Sequence, residues 1–288
     1  MRRRRELFVA LFAAFTLNGG GLLAQETSPS LEMKPLWEAG VFGAVGRLPH
    51  YRGSDEYNVY VLPLPFLIYR GEVLNADRDG VRGIFYKSER IETDISMSGN
   101  PPVDRNDSAR QGMPELNPLV EVGPAVKYYL YRGEPAPSLY LQAAIREVTA
   151  VDVSNWGVSY EGLRGGPSLN FTGYEPVPNG PWSFGLSAGV DFTSSRYNRY
   201  FYDVTEEQVQ PGRGVYHSDG GYAGFSLSAY ALRTFTPRFS WGLYARWDNI
   251  DGAVYEDSPL VKDRNNYVLG TALIWTIQQS KQYVHARE

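Results

Sequence analysis

An all-β fold, a transmembrane antiparallel β-barrel of 10–12 strands, is predicted by three features of this 288-residue sequence. The first is two-residue alternation. In Trp241-Gly-Leu-Tyr-Ala-Arg-Trp-Asp248, Trp241, Leu243, Ala245 and Trp247 share one strand face, while Gly242, Tyr244, Arg246 and Asp248 share the other. The second is aromatic bracketing of the apolar face, with tryptophans ~20 Å apart along the strand, as the two interfaces of a bilayer favour. The third is the start of the chain. Met1-Arg-Arg-Arg-Arg5, the apolar run Leu7 to Leu17 and Leu22-Leu-Ala-Gln25 have the layout of a secretory signal peptide cleaved after Ala24. The apolar run is too short to cross a bilayer as a helix. A twin-arginine reading ranks lower, because a barrel crosses the inner membrane unfolded.

The strands follow in order. After a polar linker over 25–36, segments at Trp37–Arg47 and Asn58–Tyr69 are separated by a turn, and Tyr69-Arg-Gly71 ends the second. Glu72–Tyr86 reads as one strand, or as a hairpin broken at Asp77-Arg-Asp-Gly80. Arg90–Met97 comes next. In Leu119–Arg132, Val122, Pro124, Val126 and Tyr128 oppose Glu121, Gly123, Ala125, Lys127 and Tyr129. In Ser138–Val151, Leu139, Leu141, Ala143 and Ile145 oppose Tyr140, Gln142, Ala144 and Arg146. Trp156–Tyr174 precedes Trp182–Thr193, where Trp182, Phe184, Leu186, Ala188, Val190 and Phe192 oppose small and polar residues ending in Asp191 and Thr193. Gly220–Phe235, Phe239–Ile250 and Asn266–Ile277 complete the set, so the barrel spans 37–277 and leaves 278–288 as a tail. A soluble sandwich also alternates, but the length of these strands and the small or charged second face suit a polar lumen. Three longer polar connections, Ser98–Pro118, Ser194–Asp219 and Asp251–Asn265, are expected on one side, the cell exterior. No long helix is expected.

Composition agrees. There is no cysteine, so neither disulfides nor thiol chemistry enter, and 21 tyrosines and 30 glycines suit girdles and close strand packing. A net charge of −4 gives no basic surface for nucleic acid. The outward aromatics Trp182, Phe192, Trp241, Trp247, Tyr267 and Trp275 are candidates for the lipid interface. The inward set Glu121, Lys127, Gln142, Arg146, Asp191, Arg246 and Asp248 has mixed sign and is the candidate lumen lining. Pairing across the interior would fill the barrel; separate walls would leave a narrow water path.

Leu48-Pro-His-Tyr-Arg-Gly-Ser-Asp55 holds a Pro-x-Tyr-x-Gly-Ser block that resembles a signature of the MipA/OmpV family of outer-membrane proteins, the first name standing for MltA-interacting protein. Leu62-Pro-Leu-Pro-Phe66 with Tyr69-Arg-Gly71, Arg110-Gln-Gly-Met113 with Glu121-Val-Gly-Pro124, Asn198-Arg-Tyr-Phe-Tyr-Asp-Val-Thr205 and Asp257-Ser-Pro259 follow in the family's order. The chain departs where family members end on an aromatic strand residue, since Gln278 to Glu288 follow the last strand here. The resemblance implies an outer-membrane barrel without catalytic residues. In one branch it implies a scaffold joining a murein transglycosylase to a murein synthase, in the other a porin-like or adhesive protein.

Other chemistry is weakly signalled. Gly185-Leu-Ser-Ala-Gly189 matches a nucleophile-elbow pattern, but Ser187 lies mid-strand rather than at the sharp turn that pattern needs. His217-Ser218-Asp219 invites comparison with rim lipid hydrolases, yet adjacent strand residues face oppositely and cannot form a base–nucleophile pair. His50, His217 and His285 show no metal-ligand spacing, and Asp251, Glu256 and Asp257 fit no calcium loop. The expectation is a scaffold in outer-membrane lipid with no cofactor or metal; a small-solute pore is the alternative and a rim acyl hydrolase a distant third.

Overall fold

The computed structural model describes residues 33–285 except 71–74, 78–79, 83–85, 104–106, 134–136, 153 and 176–180. The predicted leader over 1–24 and most of the 25–36 linker lie outside the described residues.

Alternation sorts the chain into strands. The sequence runs β1 (Met33–Pro35), β2 (Trp37–Pro49), β3 (Tyr57–Arg70), β4 (Asn75–Asp77), β5 (Gly80–Arg82), β6 (Tyr86–Lys87), β7 (Ile91–Asn100), β8 (Leu119–Arg132), β9 (Ser138–Asp152), β10 (Gly157–Glu175) and β11 (Trp182–Thr193). The short helix α1 (Ser195–Tyr202) precedes β12 (Gly221–Thr236), β13 (Phe239–Asn249), β14 (Asn265–Gln279) and β15 (Tyr283–His285). Strands β2 to β14 form one 13-stranded antiparallel sheet in the order β5-β4-β3-β2-β14-β13-β12-β11-β10-β9-β8-β7-β6, where β14 pairs with β2, while β1 and β15 pair with each other. The two ends of the strand order also meet, because β5 lies against β7. This is an antiparallel β-barrel. No helix among the described residues is long and apolar enough to cross a membrane.

The two faces differ as barrel walls in lipid require. On β14, Asn266, Val268, Ala272, Ile274 and Thr276 are buried, while Tyr267, Leu269, Leu273, Trp275 and Ile277 between them are exposed. The outward band continues through Val61, Ile145, Leu186 and Leu243. A soluble surface rarely shows so large a contiguous apolar area, whereas lipid covers it. The register divides the six aromatics predicted for the lipid interface evenly. Trp182, Trp241 and Trp275 lie near the end with the short connections, while Phe192, Trp247 and Tyr267 lie near the other. Two indoles have polar partners, Trp241 Nε1 donating to Thr271 Oγ1 at 2.9 Å and Trp247 Nε1 to Asn265 Oδ1 at 3.0 Å.

The connections segregate by end. Those at 50–56, 101–118, 153–156, 194–220 and 250–264 share one end of the barrel, so the three long polar ones lie together as expected. The short connections at 133–137, 176–181 and 237–238 share the other end with β1 and β15.

Three expectations need correction. The segment predicted as Glu72–Tyr86 is broken, with β4 and β5 forming a tight hairpin at the Asp77↔Gly80 register that supports the hairpin alternative. The segment expected as a tail over 278–288 contains strand. β14 continues to Gln279, and Tyr283–His285 pairs with Met33–Pro35, because two adjacent chain segments satisfy each other's backbone groups there. Finally, the connection expected as a polar loop at Ser194–Asp219 begins as α1, which buries Tyr197, Asn198, Phe201 and Tyr202.

Candidate functional site

The most organised region is the interior of the barrel at the long-loop end. Its floor is a layer of charge. Arg146 Nη1 lies 3.5 Å from Glu121 Oε2, and Arg164 Nη1 lies 3.2 Å from Glu121 Oε1. Arg164 Nη2 reaches Asp191 Oδ2 at 3.0 Å; Arg52 reaches the same oxygen at 2.7 Å and Asp248 Oδ1 at 2.8 Å. Arg246 Nε closes the series on Asp248 Oδ2 at 2.8 Å. The signs alternate without interruption through Arg146, Glu121, Arg164, Asp191, Arg52, Asp248 and Arg246. Strands β8, β9, β10, β11 and β13 supply six of these groups, and the turn after β2 supplies Arg52. Charges removed from water need partners on more than one side, and bridging arginines with planar forks provide them.

Above the charges sits an aromatic cap. Helix α1 starts at Ser194, whose hydroxyl accepts from Tyr197 N and Leu163 N. That approach depends on Gly162, a bulge residue at φ +105°, where a side chain would collide with Ser194. Tyr197, Asn198, Phe201 and Tyr202 are the buried residues of α1. Tyr202 stacks on Tyr255 at 3.9 Å between ring centroids, and Tyr51 meets Tyr202 edge-on at 6.1 Å. The helix C-terminus is satisfied from two other connections, since Arg110 Nη1 donates to Phe201 O at 2.6 Å and Ser258 Oγ to Tyr202 O at 2.8 Å. Tyr202 Oη donates in turn to Arg52 O at 2.8 Å, tying cap to charge layer. Between them lies a cavity of about 40 Å³ bordered by Arg52, Arg164, Arg246, Tyr197, Tyr202 and Tyr255. It has room for about three waters.

A second charged cluster lies farther along the interior. Lys127 Nζ is 2.7 Å from Asp94 and 3.5 Å from Glu92, and Arg132 pairs with Glu92 at 2.7 Å. Apolar packing of Phe42, Leu62, Leu232, Ala272 and Ile274 occupies another part of the barrel wall.

Six of the seven sequence-predicted inward residues fall into two groups. Glu121, Arg146, Asp191, Arg246 and Asp248 meet in the alternating chain, and Lys127 belongs to the second cluster. Gln142, half-buried on β9, stands beside Lys127 and Ser168 in the register without joining either network. Arg52 and Arg164 were missed. Arg164 carried a signal, the one arginine of its strand, set between Leu163 and Gly165; Arg52 sits in a turn, where alternation has no force.

The remaining candidates separate. Ser187 is mid-strand opposite Ser228, not at an elbow. His217 is exposed with Nδ1 3.3 Å from Asp203 Oδ2, while Ser218 N donates to Asp203 Oδ1 at 2.6 Å. Both residues thus turn to a shared carboxylate rather than to each other. Asp251 and Glu256 flank Arg264, at 3.4 and 3.6 Å. The absence of metal-ligand spacing in the sequence concealed one cluster, because its members are far apart along the chain. His50 Nδ1 lies 2.7 Å from Asp107 Oδ2, with Glu56 beside them. The bond to Asp107 raises the proton affinity of the His50 imidazole; burial raises that of the Asp107 carboxyl, but His50 together with the hydrogen bonds from Arg110 N and Ser54 outweighs it and holds the carboxyl low.

The family model described as MltA-interacting protein MipA matches residues 41–277, nearly the whole barrel. The chain belongs to that family. It is similar to the outer membrane protein Omp26La of Vibrio anguillarum, 25% identical over 93% of this chain and 98% of that protein. It is also similar to the outer membrane protein OmpV of Vibrio cholerae serotype O1, 23% identical over 93% and 98%. A solved structure described as a bacterial polysaccharide outer membrane secretin matches at TM-score 0.41 and 11% identity, over 84% of this chain and 98% of that one. This MipA-family chain is an outer-membrane β-barrel protein of Gram-negative bacteria.

Proposed function

We propose that this MipA-family barrel is a non-conducting, non-enzymatic scaffold of the cell envelope, which holds a murein transglycosylase and a murein synthase near each other. The observation that carries the reading is the filled interior, where the continuous ion-pair chain from Arg146 to Arg246 lies beneath the stacked Tyr202–Tyr255 cap. A solute path would have to break buried ion pairs, and removing one partner of such a pair costs about 3–5 kcal/mol. The family's name supports the first partner by naming an interaction with MltA. The short connections, with the β1–β15 ribbon beside them, form the periplasmic docking end, and the long connections face the exterior. The six interface aromatics anchor the barrel in lipid.

Capture experiments test the scaffold. Membrane-extracted protein immobilised in detergent should retain a purified murein transglycosylase, and a barrel whose 237–238 turn and β15 are replaced should retain less. Equal retention by the altered barrel would remove the periplasmic end from the interface; no retention by the unaltered protein would refute the scaffold. Discrete current steps from the unaltered barrel would make it a pore instead.

A further inference from the structure

We propose that His50, Glu56 and Asp107 form a binding site for one divalent transition cation of the zinc type, fastening the 101–118 connection to the turn between β2 and β3. Each residue offers one ligand atom, and those atoms lie within 4.8 Å of one another. Zinc bonds to imidazole nitrogen and carboxylate oxygen run ~2.0–2.2 Å, which places ligand atoms about 3–4 Å apart, so modest side-chain rotation closes this group on an ion. The residue types match as well. One imidazole with two carboxylates suits a borderline cation better than the all-oxygen shells of calcium or magnesium.

The surroundings hold these groups in place. His50 and Asp107 side chains are only 6% and 1% exposed. The Asn58 side chain also hydrogen-bonds the His50 ring. With Nδ1 turned to Asp107, that contact falls to Nε2, and a neutral ring held by its Nε2 proton presents the Nδ1 lone pair to a metal. Asp107 Oδ1 accepts from Arg110 N at 3.0 Å, and Ser54 Oγ lies 3.3 Å from Oδ2. Glu56 Oε1 accepts from Ser108 N at 2.9 Å, and Glu56 is half-buried, so the site is open on that side for a water as fourth ligand. A cation bound there would displace the proton of the 2.7 Å hydrogen bond between Nδ1 and Oδ2. His50 and Arg52 fill the two variable positions of the Pro-x-Tyr-x-Gly-Ser block, so one side of the turn would hold the ion while the other completes the interior ion-pair chain.

Untagged protein extracted in detergent is titrated with Co²⁺ alone, following visible d–d absorption, and then with Zn²⁺ against a chromophoric chelator. A single saturable site is expected, abolished in His50→Gln and weakened at least tenfold in Glu56→Gln, with His217→Gln unchanged. Heat-modified gel mobility confirms that each variant is folded, and Glu56→Gln, at the half-buried ligand, serves if His50→Gln does not fold. No saturable site in the unaltered protein, or equal affinity in a folded His50→Gln or Glu56→Gln variant, would overturn the assignment and leave a buried ion pair.

Discussion

At the scale of single residues, Arg52 and Arg164 decide whether the interior is stable. Each touches two carboxylates, so truncating either leaves two buried negative charges with one cation where each had two. Arg164→Ala is expected to lower folding stability by about 3–5 kcal/mol, read from urea titration in lipid vesicles followed by tryptophan fluorescence. A loss below 1 kcal/mol would mean that water screens the pair. Glu121, Asp191 and Asp248 were legible because strand alternation dictates which face each occupies. Arg52 was not, since a turn residue's direction depends on the fold around it, here on Tyr202 holding its carbonyl. The His50–Asp107 contact was hidden for the same reason, as two turns meet only after the barrel closes.

Single helices and strands show where periodicity ran out. The ten long strands announced themselves by alternation, yet α1 lay in a segment whose polar and charged residues suggested a loop. Its signals were local: a Ser194 N-cap and aromatics at 197, 200 and 201 spaced for one helix face. Ser194→Ala removes the acceptor for Tyr197 N and Leu163 N, and should cost about 1 kcal/mol by the same titration. Gly162→Val should be worse, because the bulge must abandon φ +105° and the side chain would displace the helix start. Limited proteolysis within 195–220 reports that displacement, and unchanged protection would show that α1 docks without the bulge. The terminal β1–β15 ribbon was likewise unreadable, since its strands are three residues each, too short to display a period.

For the whole molecule, the outward band defines what surrounds the barrel. Leu186 lies midway along β11 and is 53% exposed, so Leu186→Arg should weaken folding into bilayers by about 2–4 kcal/mol, while the same change on a soluble surface would cost little. The barrel class, the strand order and the grouping of the long connections all followed from repeated short patterns summed along the chain. The cap followed from contacts among residues more than fifty positions apart, such as Tyr202 with Tyr255 and Tyr51 with Leu260. The central claim is that cap and ion-pair chain close the interior, and single-channel recording in a planar bilayer tests it most directly. The unaltered protein should insert and remain silent, whereas a variant lacking 195–219 should pass discrete current. Reproducible steps from the unaltered barrel would contradict the closed scaffold.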